Sequence, residues 1–305
     1  MRVVIVGLGT QGRKRLAVAG SDVISTIDLV SHDADYRFIE QVPLDSYDAA
    51  LLCIPDAPKI ELIAYLLKNN KHVLVEKPLF SANTAQLEML RELSLANRVT
   101  CYTAYNHRFE PHFVSMKKLI DSGKLGRIYS VRMFYGNGTA KLVRDSEWRD
   151  QGAGVLPDLG SHLLDTMLFW FGNICEDFSV YTSNRFENKA PDHVLFGSKN
   201  AIDIQMEVML LSWRNHFSAD IFAEKASVHI KSLCKWGPSR LIYRERQLPS
   251  GRPIENNVTL LQPDPTWALE YEYFKKICKT GINNVNNDVW INNILTKLCF
   301  NVVKS

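Results

Sequence analysis

The first residues of the chain constrain its fold more than any other segment. The apolar run ending at Val6 predicts a strand, Arg2–Val6, that is buried on both faces. It leads into Gly7-Leu8-Gly9-Thr10-Gln11-Gly12, a G-x-G-x-x-G pattern, and a helix is predicted from Thr10 to Val18. A glycine-rich turn between a buried strand and a helix is typical of the first unit of a parallel α/β sheet.

This turn is suited to the pyrophosphate of a dinucleotide, because glycines allow close backbone approach and the helix N-terminus offers free N–H groups. Asp28 ends the second predicted strand. A carboxylate there accepts a hydrogen bond from a ribose 2′-hydroxyl and repels a 2′-phosphate, which favours NAD, with NADP as the alternative. Lys14 and Arg15 are expected mostly on a solvated helix face. The predicted cofactor residues are Gly7, Gly9, Thr10, Gln11, Gly12, Arg13, Asp28, Pro55, Glu76 and Lys77.

The order of the predicted strands and helices changes near residue 104. Strands and helices alternate before it, which indicates a parallel sheet with helices on its faces. From Arg127 onward, short strands with alternating apolar and polar residues favour antiparallel pairing with one covered face. We therefore predict an α/β Rossmann domain over residues 1–103. An α+β domain with a large, mostly antiparallel open sheet should follow over residues 104–305, including the last two helices.

Composition excludes several functional classes. The chain has 305 residues, of which 46% are hydrophobic and 23% charged, as in ordinary folded proteins. A net charge of +3 is too balanced for a phosphate-binding face, so no nucleic acid partner is expected. No apolar run is long enough for a membrane span or resembles a signal peptide, so a cytoplasmic location without membrane contact is expected. The six cysteines lack metal-site spacing, and no metal is predicted.

Glu76-Lys77-Pro78 lies just past the predicted strand of residues 72–75. Parallel sheets bind ligands at the carboxyl ends of their strands, and proline restricts Lys77 to an extended or turn geometry. An ammonium there could bind a substrate hydroxyl and, if burial lowers its pKa, share its proton. An isolated Glu-Lys-Pro is more simply explained as a surface turn.

A second polar pair, Asp158 and His162, follows a glycine-rich segment and shares one face of a helix predicted from Ser161 to Phe171. The positive end of a helix lowers the pKa of a nearby imidazole and leaves it able to accept a proton. Asp165 lies on a neighbouring face. It is either a solvated or capping carboxylate or a residue that orients His162.

Four blocks, taken in order, resemble the Gfo/Idh/MocA oxidoreductases, the family of glucose–fructose oxidoreductase and inositol dehydrogenase. The blocks are Gly7–Gly12, Glu76–Pro78, Tyr105–Pro111 and Asp158–His162. The resemblance implies a Rossmann domain followed by a domain whose open sheet forms oligomer contacts, hence a homodimer or homotetramer. It also implies that Lys77, Asp158 and His162 are catalytic and that the Lys77–Pro78 bond is cis.

The chain departs from the family pattern at two places. The family commonly has a histidine after the proline that ends the strand before its Glu-Lys-Pro block, where this chain has Lys59. The stretch between Asp28 and Tyr47 is also short, which trims the helix beside the adenosine. These departures affect the predicted adenine contacts and the predicted preference for NAD over NADP.

The predicted reaction is hydride transfer between a sugar-like secondary alcohol or ketone and a nicotinamide. His162 would take the hydroxyl proton, Lys77 would hold the reacting oxygen, and Asp158 would hold Lys77 or a neighbouring hydroxyl. Exchanged roles for His162 and Lys77 remain an alternative. A sensor or regulator that binds dinucleotide without turnover and an NAD-dependent glycosidase are the competing functions.

A basic loop before the predicted catalytic helix carries Lys141, Arg144 and Arg149. It favours an anionic sugar, such as a nucleotide sugar for surface polysaccharides, over a free sugar or inositol. A solvated loop anchored by Trp148 is the alternative explanation. The predicted substrate-binding residues are Lys77, Tyr105, Asn106, Arg108, Arg144, Trp148, Arg149, Asp158 and His162.

Overall fold

The computed structural model describes residues 1–146 and 149–304. They form two compact units. The first contains Met1–Asn106 and Pro265–Asn293, and the second contains His107–Asp264 and the chain from Ile294 onward. Among the helices of the described ranges, none has the length and apolarity needed to cross a membrane.

The first unit contains a five-stranded parallel sheet in the order β2-β1-β3-β4-β5. The strand order reverses between β1 and β3, and sheets of this kind bind ligands outside the carboxyl ends of the strands at that point. Every residue of β1, β3 and β5 is buried, as expected for strands covered on both faces. The strands are β1 (Val3–Val6), β2 (Val23–Ile27), β3 (Ala49–Leu52), β4 (His72–Glu76) and β5 (Cys101–Ala104).

Helices cover both faces of this sheet because alternate residues of each strand point to opposite sides. Val4 and Val6 of β1 pack into one core cluster with Ile63 and Leu87. Val3 and Ile5 of β1 pack into a second cluster with Tyr271, Phe274 and Ile277. The helices of this unit are α1 (Thr10–Ala19), α2 (Lys59–Lys68), α3 (Thr84–Asn97) and α7 (Thr266–Cys278), and α8 (Val285–Lys304) begins in it.

The contacts correct one part of the predicted domain division. The last two helices are predicted to belong to the second domain, whereas the structure places Pro265–Asn293 in the first unit. The physical reason is that the buried side chains of α7 complete the core cluster on one face of the parallel sheet. The division between residues 103 and 104 itself stays a prediction.

The second unit contains an eight-stranded sheet in the order β13-β12-β11-β10-β6-β9-β8-β7. Strands β6 and β9 pair in parallel, and the other neighbouring strands pair in antiparallel fashion. The predicted fold class is therefore confirmed. The strands are β6 (Ile128–Gly136), β7 (Ser179–Asn184), β8 (His193–Lys199), β9 (Asp203–Met209), β10 (His216–Ala223), β11 (Ala226–Lys231), β12 (Ser239–Gln247) and β13 (Gly251–Leu260).

One face of this sheet is covered and the other is more open. Along β9 buried and partly exposed residues alternate strictly, which gives one core-facing side. On the covered side Phe113 of α4 contacts both Phe217 of β10 and Trp170 of α6, with ring centroids 5.0 and 5.1 Å away. The helices of this unit are α4 (Pro111–Asp121), α5 (Ala140–Arg144) and α6 (Ser161–Phe171).

Arg15 is a buried cation in the first unit, although a solvated position was predicted for it. Its side chain is 1% exposed, with Nε 2.7 Å from Glu76 Oε1 and Nη2 2.6 Å from Glu270 Oε2. Burial alone would lower the pKa of Arg15, but the two carboxylates raise it above its usual range. These ion pairs tie α1 to the end of β4 and to α7.

Replacing Arg15 with Met should destabilise the first unit, because it leaves the carboxylate of Glu270, which is 0% exposed, without this cation. We expect the free energy of unfolding in urea to fall by about 3 kcal/mol. Arg13→Met is the matched control, since Arg13 is 59% exposed and its ion pair with Asp33 lies at the surface. Equal unfolding curves for Arg15→Met and the wild type would contradict this account.

Candidate functional site

The glycine turn after β1 is closely packed at two of its three glycines. Gly7 has φ +92°, and a Cβ on it would lie 2.4 Å from the carbonyl oxygen of Cys53. A Cβ on Gly12 would lie 1.8 Å from the carbonyl oxygen of Gly7. Both positions therefore require glycine. A Cβ on Gly9 would meet open space, so this residue leaves room in front of α1.

The N-terminus of α1 is available to an anion. Gly9 caps the helix without a side-chain hydrogen bond, and its first turn holds no acidic residue. Unpaired N–H groups at the start of a helix, together with the helix dipole, favour phosphate groups. The uncapped helix start and the open space at Gly9 fit the pyrophosphate of a dinucleotide.

Asp28 holds the glycine turn from the end of β2. Its Oδ2 accepts the N–H of Leu8 at 2.6 Å, and its Oδ1 accepts those of Val30 and Ser31 at 2.8 Å each. Partial burial raises the pKa of Asp28, but these three N–H groups outweigh it and hold the pKa below its usual value. A carboxylate oxygen has more than one lone-pair site, so Asp28 can also accept a ribose hydroxyl. The role of Asp28 in ordering the turn is not predicted from the sequence.

The other predicted cofactor residues lie at the carboxyl ends of the strands or on α1. Thr10 and Gln11 are exposed in its first turn, and Pro55 is exposed after β3. Arg13 pairs with Asp33 at 3.3 Å. The carboxylate of Glu76 is bound to the buried Arg15, which explains its position without a cofactor. Cofactor contacts of these residues stay predictions.

Lys77 follows β4, and the Lys77–Pro78 bond is cis, as the resemblance implied. The main chain around Lys77 is bound by Lys59, the first residue of α2. The Lys59 ammonium donates to Glu76 O at 2.9 Å, to Pro78 O at 3.0 Å and to Asp56 Oδ1 at 2.7 Å. From the sequence, Lys59 stands out only as a departure from the family pattern.

Asp158 and His162 lie on one continuous helical segment of the second unit. Asp158 belongs to a π-helical turn, Leu156–Gly160, that runs directly into α6, and His162 is the second residue of α6. The sequence had predicted an ordinary helix, in which a π-helical turn is not visible. Such turns occur frequently at functional sites, since they change the direction of a side chain relative to a regular helix.

His162 is 7% exposed and lies among aromatic rings. Its imidazole stacks on that of His107, with ring centroids 4.1 Å apart and planes inclined by 20°. The ring of Tyr135 meets it edge-on at 5.6 Å. Nε2 of His107 lies 3.4 Å from Nζ of Lys235. His107 belongs to the family block Tyr105–Pro111 but is not among the predicted site residues.

Asp158 has a cationic neighbour from the basic loop. Arg149 Nη2 lies 3.7 Å from Asp158 Oδ2. The pKa of Tyr135 is raised, mainly by burial and further by the charges of Asp158 and Glu110. The structure thus brings Arg149, Asp158 and His162 into one region of the second unit.

The remaining predicted substrate residues have other surroundings. Arg144 is 44% exposed and lies 3.8 Å from Glu187. Tyr105 and Asn106 belong to the first unit, where the Asn106 amide donates to Thr266 Oγ1 at 2.8 Å. Trp148 lies outside the described residues. Substrate contacts of these residues stay predictions.

The prediction that Asp165 is a solvated or capping carboxylate is wrong, whereas its role in orienting His162 stays a prediction. Asp165 is 1% exposed, and it accepts hydrogen bonds from Arg108, with Nε and Nη2 within 2.5–3.0 Å of its oxygens. Burial raises the pKa of Asp165, and Arg108 opposes that rise. Arg108 as a substrate residue stays a prediction, with its guanidinium already bound to this carboxylate.

Two family models match the chain. Residues 5–105 match "Oxidoreductase family, NAD-binding Rossmann fold", and residues 113–229 match "GFO/IDH/MocA C-terminal domain". The two models together cover most of both units.

Curated relatives match part of the chain. The uncharacterized oxidoreductase YhhX of Escherichia coli is 30% identical over 55% of this chain and 44% of its own length. Glucose-6-phosphate 3-dehydrogenase of Bacillus subtilis is 24% identical over 61% of this chain and 53% of its own length. Uncharacterized oxidoreductase C26H5.09c of Schizosaccharomyces pombe is 26% identical over 53% of this chain and 41% of its own length. The matches thus span about half of these relatives.

Solved structures share the whole fold. Levoglucosan dehydrogenase in complex with NADH has a TM-score of 0.83 and 17% identity, covering 100% of this chain and 97% of that chain. An inositol dehydrogenase homolog from Azotobacter vinelandii, complexed with NAD+, has a TM-score of 0.80 and 14% identity, covering 100% and 96%. At these identities the likeness shows the fold.

Proposed function

Because the chain belongs to the GFO/IDH/MocA oxidoreductase family, we propose that it transfers a hydride between a sugar-like secondary alcohol, or its ketone, and a nicotinamide cofactor. The observation that carries the proposal is the uncapped start of α1 behind a glycine turn held by Asp28. Relatives named glucose-6-phosphate and inositol dehydrogenases support the class of substrate.

NAD is the proposed cofactor, with NADP as the alternative. The N–H groups of α1 would bind its pyrophosphate, and Asp28 would bind its adenosine ribose. When bound, the nicotinamide ring supplies the hydride acceptor or donor. The carboxylate of Asp28 is kept ionised by three N–H donors and would repel a 2′-phosphate at the same position.

We assign the proton transfer to His162, with Lys77 donating a hydrogen bond to the reacting oxygen and Asp158 binding Lys77 or a neighbouring hydroxyl. Stacking on His107 fixes the plane of the His162 imidazole, which directs proton transfer to a bound hydroxyl. The role of Lys77 suits the donors of an ammonium, which stabilise an oxygen that gains negative charge.

An anionic sugar, nucleotide-linked or phosphorylated, is the proposed substrate, and a free sugar or inositol is the alternative. The predicted basic loop forms helix α5 at Lys141 and Arg144, and this basic segment supports the choice, since Arg149 lies beside Asp158 and Lys141 is exposed. Planar guanidinium groups favour phosphate oxygens. The glucose-6-phosphate 3-dehydrogenase among the relatives has a phosphorylated sugar in its name.

We also propose that copies of the chain associate through the open face of the eight-stranded sheet as a homodimer or homotetramer in the cytoplasm. The strands of this sheet expose large apolar side chains. Apolar surface of this kind often marks a contact between protein copies. On the open face these side chains include Tyr181 and Phe222.

Asp28→Ala should weaken NAD+ binding and reduce the preference over NADP+. The change removes the ribose acceptor, the repulsion of a 2′-phosphate and the hydrogen bond that holds the turn. We expect the Kd for NAD+, measured by calorimetry, to rise about tenfold or more. Asp45→Ala, at an exposed carboxylate of the first unit, is the control and should leave both affinities unchanged. An unchanged ratio of the two affinities in Asp28→Ala would refute the assignment.

His162→Ala should abolish most turnover while NAD+ binding is retained. Loss of a general base lowers kcat by about 100-fold or more. The assay follows absorbance of NADH with a panel of glucose 6-phosphate, myo-inositol and UDP-sugars. His216→Ala changes an exposed histidine of β10 and should behave as the wild type. Wild-type turnover in His162→Ala would remove His162 from the mechanism.

A further inference from the structure

We propose that Lys59 is a positioning residue for Lys77. Its ammonium binds the main-chain carbonyls of the residues on either side of Lys77, and this fixes the point from which the Lys77 side chain extends. The inference rests on the proposed catalytic role of Lys77, but the contacts that support it lie wholly within the first unit.

The Lys59 side chain is buried and fully engaged. It is 4% exposed, and its Nζ lies 2.9 Å from Glu76 O, 3.0 Å from Pro78 O and 2.7 Å from Asp56 Oδ1. An ammonium has three N–H donors, and each of the three finds an acceptor. Two of these acceptors are the carbonyls immediately before and after Lys77.

The stability of α2 does not explain this lysine. Lys59 is the first residue of α2, where the positive end of the helix dipole disfavours a cation. Its charged partner Asp56 is itself 55% exposed, and a buried ammonium requires compensation. Two of its three acceptors are carbonyls of the Lys77 segment, so the lysine and this segment hold each other in place.

The segment is held from a second side as well. The carboxylate of Glu76 is bound by the buried Arg15 of α1, and the carbonyl of Glu76 accepts a hydrogen bond from Lys59. Two cations therefore hold this residue. Beyond Pro78, Leu79 is buried in the core cluster under α2 and α3. With residues 76, 78 and 79 fixed, the Cα–Cβ bond of Lys77 has little freedom to change direction.

The identity of residue 59 matters for the number of contacts. A histidine in this place would offer at most two N–H donors in one plane. The ammonium of this chain reaches three oxygens that belong to two different segments. We therefore expect this chain to depend on Lys59 for the placement of Lys77.

The first test needs no substrate. Lys59→Met keeps the length of the side chain but removes every donor, and Lys68→Met changes an exposed lysine of the same helix. The rate at which acetic anhydride labels the Lys77 amine is measured by mass spectrometry, together with amide hydrogen exchange in residues 77–83. In Lys59→Met both rates should rise by about threefold or more, because the segment opens more often. Lys68→Met should show wild-type rates.

The second test uses NADH formation from NAD+ with the substrate found in the panel. Lys59→Met should lower kcat by about 10- to 100-fold, as expected for a displaced catalytic group, with the KM for NAD+ nearly unchanged. In a Lys77→Met background the same substitution should have almost no further effect, because its action passes through Lys77. A purely structural role would lower kcat by the same factor in both backgrounds.

Wild-type labelling and exchange rates in folded Lys59→Met would overturn the proposal, whether or not the protein is a dehydrogenase. Equal losses of kcat in the two backgrounds would overturn it too. If changed labelling accompanies an absence of turnover on all substrates, the proposed function fails while the placement of Lys77 by Lys59 stands.

If Lys59→Met does not fold, Lys59→His replaces it. This variant should show the same changes at smaller size, and wild-type rates in it would refute the proposal.

Discussion

Two buried cations hold the end of strand β4, and the arrangement of the first unit depends on them. Arg15 binds the Glu76 carboxylate and that of Glu270, and Lys59 binds the carbonyls of Glu76 and Pro78. A charged side chain that is buried away from water is tolerated only where groups of opposite charge or hydrogen-bond acceptors surround it. The helices that carry these cations are therefore fixed against the segment that contains Lys77, and α1 is also the helix whose N-terminus fits the pyrophosphate.

Much of the fold could be predicted from local patterns. The buried β1, the glycine turn and the helix after it follow from a short segment, and the family resemblance is confirmed by the two family models. The burial of Arg15 could not be predicted, because its partner Glu270 lies 255 residues away and a basic run after a turn is usually solvated. Strand β13 was also missed, since nearly all of its residues are exposed and no apolar alternation marks it.

The candidate site was predicted residue by residue but not as an arrangement. Lys77, Asp158 and His162 came from motifs, which identify side chains without their surroundings. The stacking of His107 on His162 depends on tertiary packing. The ion pair of Asp165 with Arg108 joins two elements 57 residues apart, so helical spacing alone suggested other roles for Asp165. The role of Lys59 required the carbonyl positions after β4, which no sequence pattern encodes.

The most direct test of the account is to follow one hydrogen atom. The protein is incubated with NAD+ and sugars or inositols that carry deuterium on the carbon of each secondary alcohol, and the NADH and the carbon product are analysed by mass spectrometry. We predict net formation of NADH that contains the deuterium, together with the ketone. Binding of NAD+ without NADH would indicate a sensor or regulator, and cleavage of a glycoside without net NADH would indicate a hydrolase. Either result would contradict the proposed dehydrogenase.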